Sequence, residues 1–374
     1  MLHDLKVVEL ASVLAGPSVG QFFAELGAEV IKVENLKTGG DVTRTWRLTN
    51  EQTDDRSAYF CSCNWGKKSI AIDLQKKEGI EVVKKLARWA DVMIASYKPG
   101  DAAKLGVAYE QLRAENAAMV YGQVTGYGAD NERVGYDAVV QAEAGFMDLN
   151  GEKGGLPTKM PVALVDVLAA HHLKEGLLVA LLHRQKTGEG SLVEVSLIQA
   201  ALTSLTNQAT NWLVAGRLPQ RQGSAHPNIA PYGDSFVTRD GKRILLAIGS
   251  DRQFHDLVQV LKLEEVIAAD LFSTNPLRVA NRDKLNVILE EGIRLHTADV
   301  LMQNLNANKI PAGVIQNVRE AFLMPEAEEI LLREGSTVGV RNFVGTISGW
   351  ERSKTILPPP HFGEHTEEVL KSFV

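Results

Sequence analysis

The feature that most constrains this chain is a hydrophobic period that keeps switching between two and 3.6 along its first half. LKVVEL, residues 5–10, is a short apolar run and reads as a buried strand. ASVLAGPSVG follows, with Pro17 placed as the first residue of a helix would be. QFFAEL continues that helix, and Gly27 stops it as a glycine just past a helix end does. AEVIKVE is the next strand, which completes a βαβ unit of the kind that crosses over right-handed. The alternation then recurs: KKSIAIDL as a strand, KEGIEVVKKLARWA as an amphipathic helix, DVMIASY as a strand, YEQLRAEN as a short helix and AMVYGQVTGYG as a strand ending in a glycine turn. Such alternation predicts an α/β fold whose parallel sheet is covered by helices on both faces.

Beyond it, GYDAVVQAEAGFMDLNG reads as one helix and the Gly/Pro-rich GEKGGLPTKMP as a surface loop. A helix is expected from Val167 to Lys186, closed by TGEG, then a strand at SLVEVSL and one long helix over IQAALTSLTNQATNWLVAG. The composition changes near Gly216, where GRLPQRQGSAHPNIAPYG is irregular and locally basic. SFVTRDGKRILLAIG has the Asp-Gly turn of a hairpin, and helical segments follow to about Asn306. A chain of 374 residues exceeds one ordinary compact domain. The expected division is a large α/β domain over 1–215, a smaller α+β domain over 216–325, and a tail, 326–374, that returns to the first domain.

Composition narrows the function classes. The formal net charge of -6 argues against a nucleic-acid or anionic-membrane partner. No run of eighteen apolar residues exists, so no spanning helix is expected. The first residues enter a strand pattern without a basic and then apolar leader, so no secretory signal is expected. The two cysteines, Cys61 and Cys63, are too closely spaced for an ordinary disulfide and have no companions to complete a metal site. They read as reduced thiols of a cytoplasmic protein with no metal and no tightly bound cofactor.

The first βα turn sits where an open α/β sheet takes its ligand. Glu34 ends the second strand where a ribose-binding acid would stand, but Gly16 and Gly20 do not form the G-x-G-x-x-G fingerprint, so a dinucleotide is disfavoured. Three basic clusters fall near strand ends: Arg44 with Arg47, Lys67 with Lys68, and Lys98 with Lys104. Each is either solvated surface or part of a rim that holds phosphates. Asp166, after the apolar MPVALV, reads both as the N-cap of the helix that begins at Val167 and as an ionised carboxylate fit for nucleophilic attack. No Lys or Arg lies within five residues on either side to neutralise it. His171 and His172 lack the i, i+4 spacing of a metal pair and read as core or interface residues. His226, with Tyr232, reads as a substrate contact or as a loop-ordering residue.

Several segments together, in order along almost the whole chain, resemble the class III CoA-transferases, the CaiB/BaiF family that includes formyl-CoA transferase. They are LKVVELASVLAGPSVGQFFAELGAEVIKVE, GDVTR, NWGKKSIAIDL, ADVMIASYKPGDAAKLG, GYDAVVQAEAG, the block VDVLAAHHLKEGLLVALLHRQKTGEGSLVEVSL, and PPPHFGEHTEEVL. The resemblance implies a Rossmann-like large domain built from both chain ends, a small domain between them, and two chains interlocked as a dimer. It implies an acyl-CoA donor and a carboxylic acid acceptor as substrates, with Asp166 as the nucleophile that carries the covalent intermediate. By position in the matching motifs, Val13, Leu14, Ala15, Tyr97, Lys104 and Tyr136 would line the CoA site, with Arg44, Lys67 and Lys98 as further cations. Leu14 departs from relatives that carry Gln there, and the glycine-rich lid of formyl-CoA transferase is not evident, which sets formate and oxalate aside. The related 2-methylacyl-CoA racemases use a His where Tyr136 stands. A tyrosine with a reference pKa of about 10 is a poor base at neutral pH, so transfer is favoured over racemisation. An inactive acyl-CoA-binding relative is the third reading, and the intact Asp166 argues against it.

Overall fold

The computed structural model describes residues 1–267, 270–351, 353 and 355–373. Six strands form one sheet: β1 (Lys6–Leu10), β2 (Glu29–Asn35), β3 (Lys67–Ile72), β4 (Val92–Ala95), β5 (Val120–Thr125) and β6 (Leu192–Ser196). Their spatial order is β3-β2-β1-β4-β5-β6, and every pairing is parallel. Successive side chains leave opposite faces of a strand. Val7 and Ile94 therefore pack with the helices Ala15–Glu25 and Leu164–Thr187, while Val8 and Met93 pack with the helix Lys77–Trp89 on the other face. Both faces are covered at the centre of the sheet, which is why β1 and β4 are mostly apolar and almost wholly buried.

The described residues fall into two compact units, 1–147 with 159–218 and 328–374, and 148–158 with 219–327. In the first, the C-terminal segment joins β3: His365 N–H donates to Ser69 O at 2.8 Å, and Ala71 N–H to Thr366 Oγ1 at 3.0 Å. The second holds an antiparallel sheet of β7 (Tyr232–Val237), β8 (Arg243–Ala247) and β9 (Ala312–Val314). The turn between β7 and β8 is at Asp240 and Gly241, whose φ of 78° suits glycine. A short hairpin, β10 (Leu331–Glu334) and β11 (Thr337–Val340), belongs to the first unit.

Several local expectations are corrected. The first helix begins at Ala15, so Pro17 is its third residue; it remains in the first turn, where a missing N–H costs nothing. The segment after Tyr136 is two helices, Asp137–Glu143 and Phe146–Leu149, because Gly145 turns to φ 87° between them. The long helix expected after β6 is likewise split into Leu197–Ser204 and Thr206–Leu213, with Thr206 at φ 42°. The loop residues 148–158 group with the second unit rather than the first.

Candidate active site

The strand order reverses between β1 and β4, and the loops that leave their carboxyl ends diverge there. Open α/β sheets take ligands in this crevice. Residues after β1, β4 and β5 line a cavity of about 210 Å³, which holds Val13, Leu14, Ala15, Tyr97, Lys98, Tyr136 and Asp166 together.

The loop after β1 is held from behind by buried charges. Val13 has φ 74°, a left-handed conformation that a β-branched residue rarely adopts. Asp41 accepts its N–H, with both carboxylate oxygens at 3.3 Å. Cys63 Sγ lies 3.4 Å from its carbonyl oxygen, and Lys32 Nζ donates to Ala11 O at 2.8 Å. Lys32 also pairs with Asp41 at 3.0 Å and Glu9 at 2.8 Å, and Glu9 pairs with Lys67 at 2.8 Å. Burial opposes the charge on Lys32, but Glu9, Asp41 and Glu34 outweigh it and raise its pKa. The glycines that failed the dinucleotide pattern serve this packing. A Cβ on Gly16 would meet Ala11 Cβ at 2.3 Å, and one on Gly20 would meet Glu9 Oε2 at 1.9 Å.

Asp166 is not the N-cap. The helix starts at Leu164, so Asp166 is its third residue, and the preceding Ala163 has no capping side chain. Asp137 does the capping from another segment: its Oδ2 accepts the N–H of Val165 at 2.7 Å and that of Asp166 at 3.4 Å. Among the described residues nothing donates a hydrogen bond to the Asp166 carboxylate, although the residue is only 8% exposed. Burial, and then the neighbouring charge of Asp137, push its pKa up to about 7. Such a group can serve as a nucleophile when ionised and as an acid when protonated.

Asp166 also lines a second cavity of about 640 Å³, with Trp46, Tyr59, Lys159, Val340 and Arg341 on its walls. Burial and the charge of Asp166 push the Tyr59 phenol up to about 12, so it stands as a neutral hydrogen-bonding group. Among the described residues no histidine lines either cavity.

Other expected site residues lie elsewhere. Lys67 is fully buried, against Glu9, Asn64 Oδ1 and Pro17 O. Arg44 is buried too, bonded twice to Glu34 at 2.8 and 2.6 Å, and stacked 3.7 Å from the Phe60 ring centre. Neither belongs to a phosphate rim: a cation that completes an internal ion pair has no surface to offer. The same pairing explains why Glu34 is no ribose ligand. Lys104 is exposed and pairs with Asp101 at 3.0 Å, outside the cavity lining. Cys61 and Cys63 are free thiols whose pKa values burial pushes up to about 11 and about 12, consistent with inert reduced groups. His171 is exposed rather than part of the core, and His172 stands 3.7 Å from Glu175. In the second unit, His226 orders its loop. Its N–H bonds Tyr232 O at 2.8 Å, and its ring meets the Tyr232 ring edge-on at 5.3 Å. The residues that sequence reasoning missed are Asp41, Tyr59 and Asp137. Only Asp137 left a local trace, as an acid opening the helical run DAVVQ.

The described helices include none long and apolar enough to cross a membrane. The family model described as CoA-transferase family III matches residues 2–366. A succinate–glutarate CoA-transferase from Agrobacterium fabrum is 36% identical over 99% of this chain and 94% of its own length. A succinyl-CoA:glutarate CoA-transferase from Homo sapiens is 33% identical over 99% of this chain and 85% of its own. The crystal structure of a CaiB/BaiF family protein from Brucella suis superposes with a TM-score of 0.89 at 37% identity, covering 99% of this chain and 98% of that one. A match that spans sequence, fold and nearly the full length leaves one conclusion: this chain belongs to CoA-transferase family III, enzymes that move coenzyme A from an acyl-CoA to an acid.

Proposed function

We propose that Asp166 is the nucleophile of a CoA exchange between two carboxylic acids, with succinyl-CoA as donor and a dicarboxylic acid such as glutarate as acceptor. The observation that carries this reading is a buried carboxylate with no hydrogen-bond donor among the described residues, on a wall shared by two cavities. The named relatives support the choice of donor and acceptor. CoA follows the crevice between β1 and β4 past Val13, Leu14, Ala15, Tyr97 and Tyr136, with Lys98 and the exposed Lys104 as cations for its phosphates.

An Asp166 carboxylate oxygen attacks the thioester carbon, the C–S bond breaks, and a mixed anhydride and CoA thiolate form. The thiolate attacks the aspartyl carbonyl, which releases the donor acid and leaves an aspartyl-CoA thioester. The acceptor carboxylate attacks that carbonyl in turn and expels the thiolate. The thiolate then takes the acceptor acyl group and restores the Asp166 carboxylate. Dividing the exchange in this way conserves the thioester bond energy while the site excludes water. A 2-methylacyl-CoA racemase needs a second acid/base group across the α-carbon, and the described residues around Asp166 include no histidine to be one.

The working unit of this reading is a cytoplasmic homodimer. Val179 and Leu182, 66% and 58% exposed on the long helix, are apolar surface that a second copy would cover. Intact mass after incubation with succinyl-CoA tests the chemistry. The expected result is an adduct on Asp166 that hydroxylamine removes, and that Asp166→Ala never forms. Transfer undiminished in Asp166→Ala would overturn it.

A further inference from the structure

The second cavity at Asp166 carries two cations, Lys159 and Arg341, and two acids, Asp137 and Asp166 itself. The placement of Arg341 is built from the core outward. Gln21 and Glu25 lie one turn apart on the helix Ala15–Glu25 and are both buried. Gln21 Nε2 donates to Val340 O at 3.0 Å. The Glu25 carboxylate accepts the N–H of Asn342 at 2.6 Å and that of Phe343 at 3.2 Å. Asn342 Oδ1 is 3.3 Å from Lys174 Nζ, on the helix that also carries Asp166. The backbone on both sides of Arg341 is thus clamped to buried polar groups. Arg341 comes off a fixed segment at the end of β11 and into the wall of the cavity that holds Asp166.

The charge balance of this cavity changes during the reaction. Free Asp166 opposes the approach of an anion. Once it carries CoA as a thioester, its negative charge is gone. Asp137 remains occupied by the helix amides it caps. Lys159, whose Nζ bonds its neighbouring carbonyl Met160 O at 2.8 Å, and Arg341, whose Nη2 donates to Ser353 O at 2.7 Å, are then the cations on the wall that the acid meets. Leu14, Trp46, Val162 and Val340 add apolar wall to the same cavity, which suits a methylene chain. A guanidinium carries five N–H donors, so one given to a carbonyl oxygen does not prevent it from donating to a carboxylate.

We infer that Arg341 reads the distal carboxylate of a dicarboxylic acid whose other carboxylate reacts at Asp166, and so sets the enzyme's preference for dicarboxylic over monocarboxylic acids. The inference rests on Asp166 as the nucleophile of the exchange. It assigns the second cavity to the acyl chain and the acid, and the first to CoA.

The test compares glutarate with valerate, acids of equal chain length, as acceptors from succinyl-CoA. In a ping-pong exchange the kcat/KM of the acceptor reports only its own half-reaction, so effects on the donor cancel. The wild-type protein should favour glutarate. In Arg341→Gln the ratio of kcat/KM for glutarate to that for valerate should fall at least tenfold, mainly through KM for glutarate, and Arg341→Lys should recover part of it. A ratio that is the same in Arg341→Gln as in the wild type would overturn the assignment, as would equal losses with both acids, which mark a structural role. No preference in the wild type would overturn it too. The aspartyl adduct is read separately by intact mass in the wild type. Its absence would count against the nucleophile itself, whereas its presence with an unchanged acceptor ratio would count against Arg341 alone.

Discussion

Asp137 caps the helix that carries Asp166: its Oδ2 lies 2.7 Å from the amide nitrogen of Val165 and 3.4 Å from that of Asp166. The arrangement frees Asp166 from the capping role its position invites. It also sets a negative charge beside a carboxylate that is already short of water. Removing the acceptor and removing the charge have separable effects. Asp137→Ala should lose about 1 kcal/mol of stability through the lost cap. Asp137→Asn keeps an acceptor and should hold its urea midpoint closer to the wild type. Both variants should move the acid limb of the pH–rate profile to lower pH, because Asp166 then ionises more easily. An acid limb that stays in place in both would show that the two carboxylates do not couple.

The raised pKa of Asp166 predicts the pH dependence of transfer. Only the ionised carboxylate attacks, and burial holds its pKa at about 7. kcat/KM for the acyl-CoA should therefore rise with pH, tenfold per unit on the acid side, and level off above about 7. Initial rates from pH 5 to 9 check this. A plateau already reached at about pH 5 would mean that the free enzyme keeps Asp166 at an ordinary carboxylate value.

The raised pKa sets a stability trend of opposite sense. From the ordinary value of 3.8 up to about 7 the folded protein holds a proton that the unfolded chain releases, so stability falls as pH rises through this window. A tenfold change in proton affinity between the folded and unfolded chain corresponds to about 1.4 kcal/mol, which places the cost of the buried charge at a few kcal/mol above pH 7. Asp166→Asn should abolish transfer and, at pH 8, raise Tm. At pH 4 the two proteins should melt together.

Lys67 and Lys98 should separate cleanly. Lys67 is fully buried against Glu9, so Lys67→Met should destabilise the protein by about 3 kcal/mol, at the low end for a broken buried pair because Lys32 still faces Glu9. KM for the acyl-CoA should stay as it is in the protein that remains folded. Lys98 lines the first cavity, and Lys98→Ala should raise KM for the acyl-CoA several-fold with an unchanged urea midpoint. The reverse pattern would restore Lys67 to the phosphate rim.

Val13→Gly should break the usual rule that a glycine replacement destabilises. At φ 74° the valine carries strain of about 1–3 kcal/mol that glycine does not. Tm should hold or rise, while kcat falls because the loop beside Asp166 is less rigid. A clear drop in Tm would show that the Val13 side chain contributes more by packing than its backbone costs.

Much of this protein is determined by the sequence alone. The alternation of periods specifies the parallel sheet, because strands buried on both faces must be apolar and their crossovers must be amphipathic helices. The crevice after β1 follows from that topology, and Asp166 stands out as the lone acid between an apolar run and a helix. What the sequence does not contain is which charges meet. Lys67 and Arg44 look like any basic residues beside a strand, yet folding pairs Lys67 internally with Glu9, distant in sequence, and Arg44 with Glu34 at the end of the preceding strand, and takes both out of reach of a ligand. Asp137 and Asp166 are likewise 29 residues apart, and only the packing of their two segments makes one the cap and leaves the other free. Periodicity is a local property that a chain writes along itself. Electrostatic partnership depends on distance and burial in three dimensions, and the tertiary structure alone decides it.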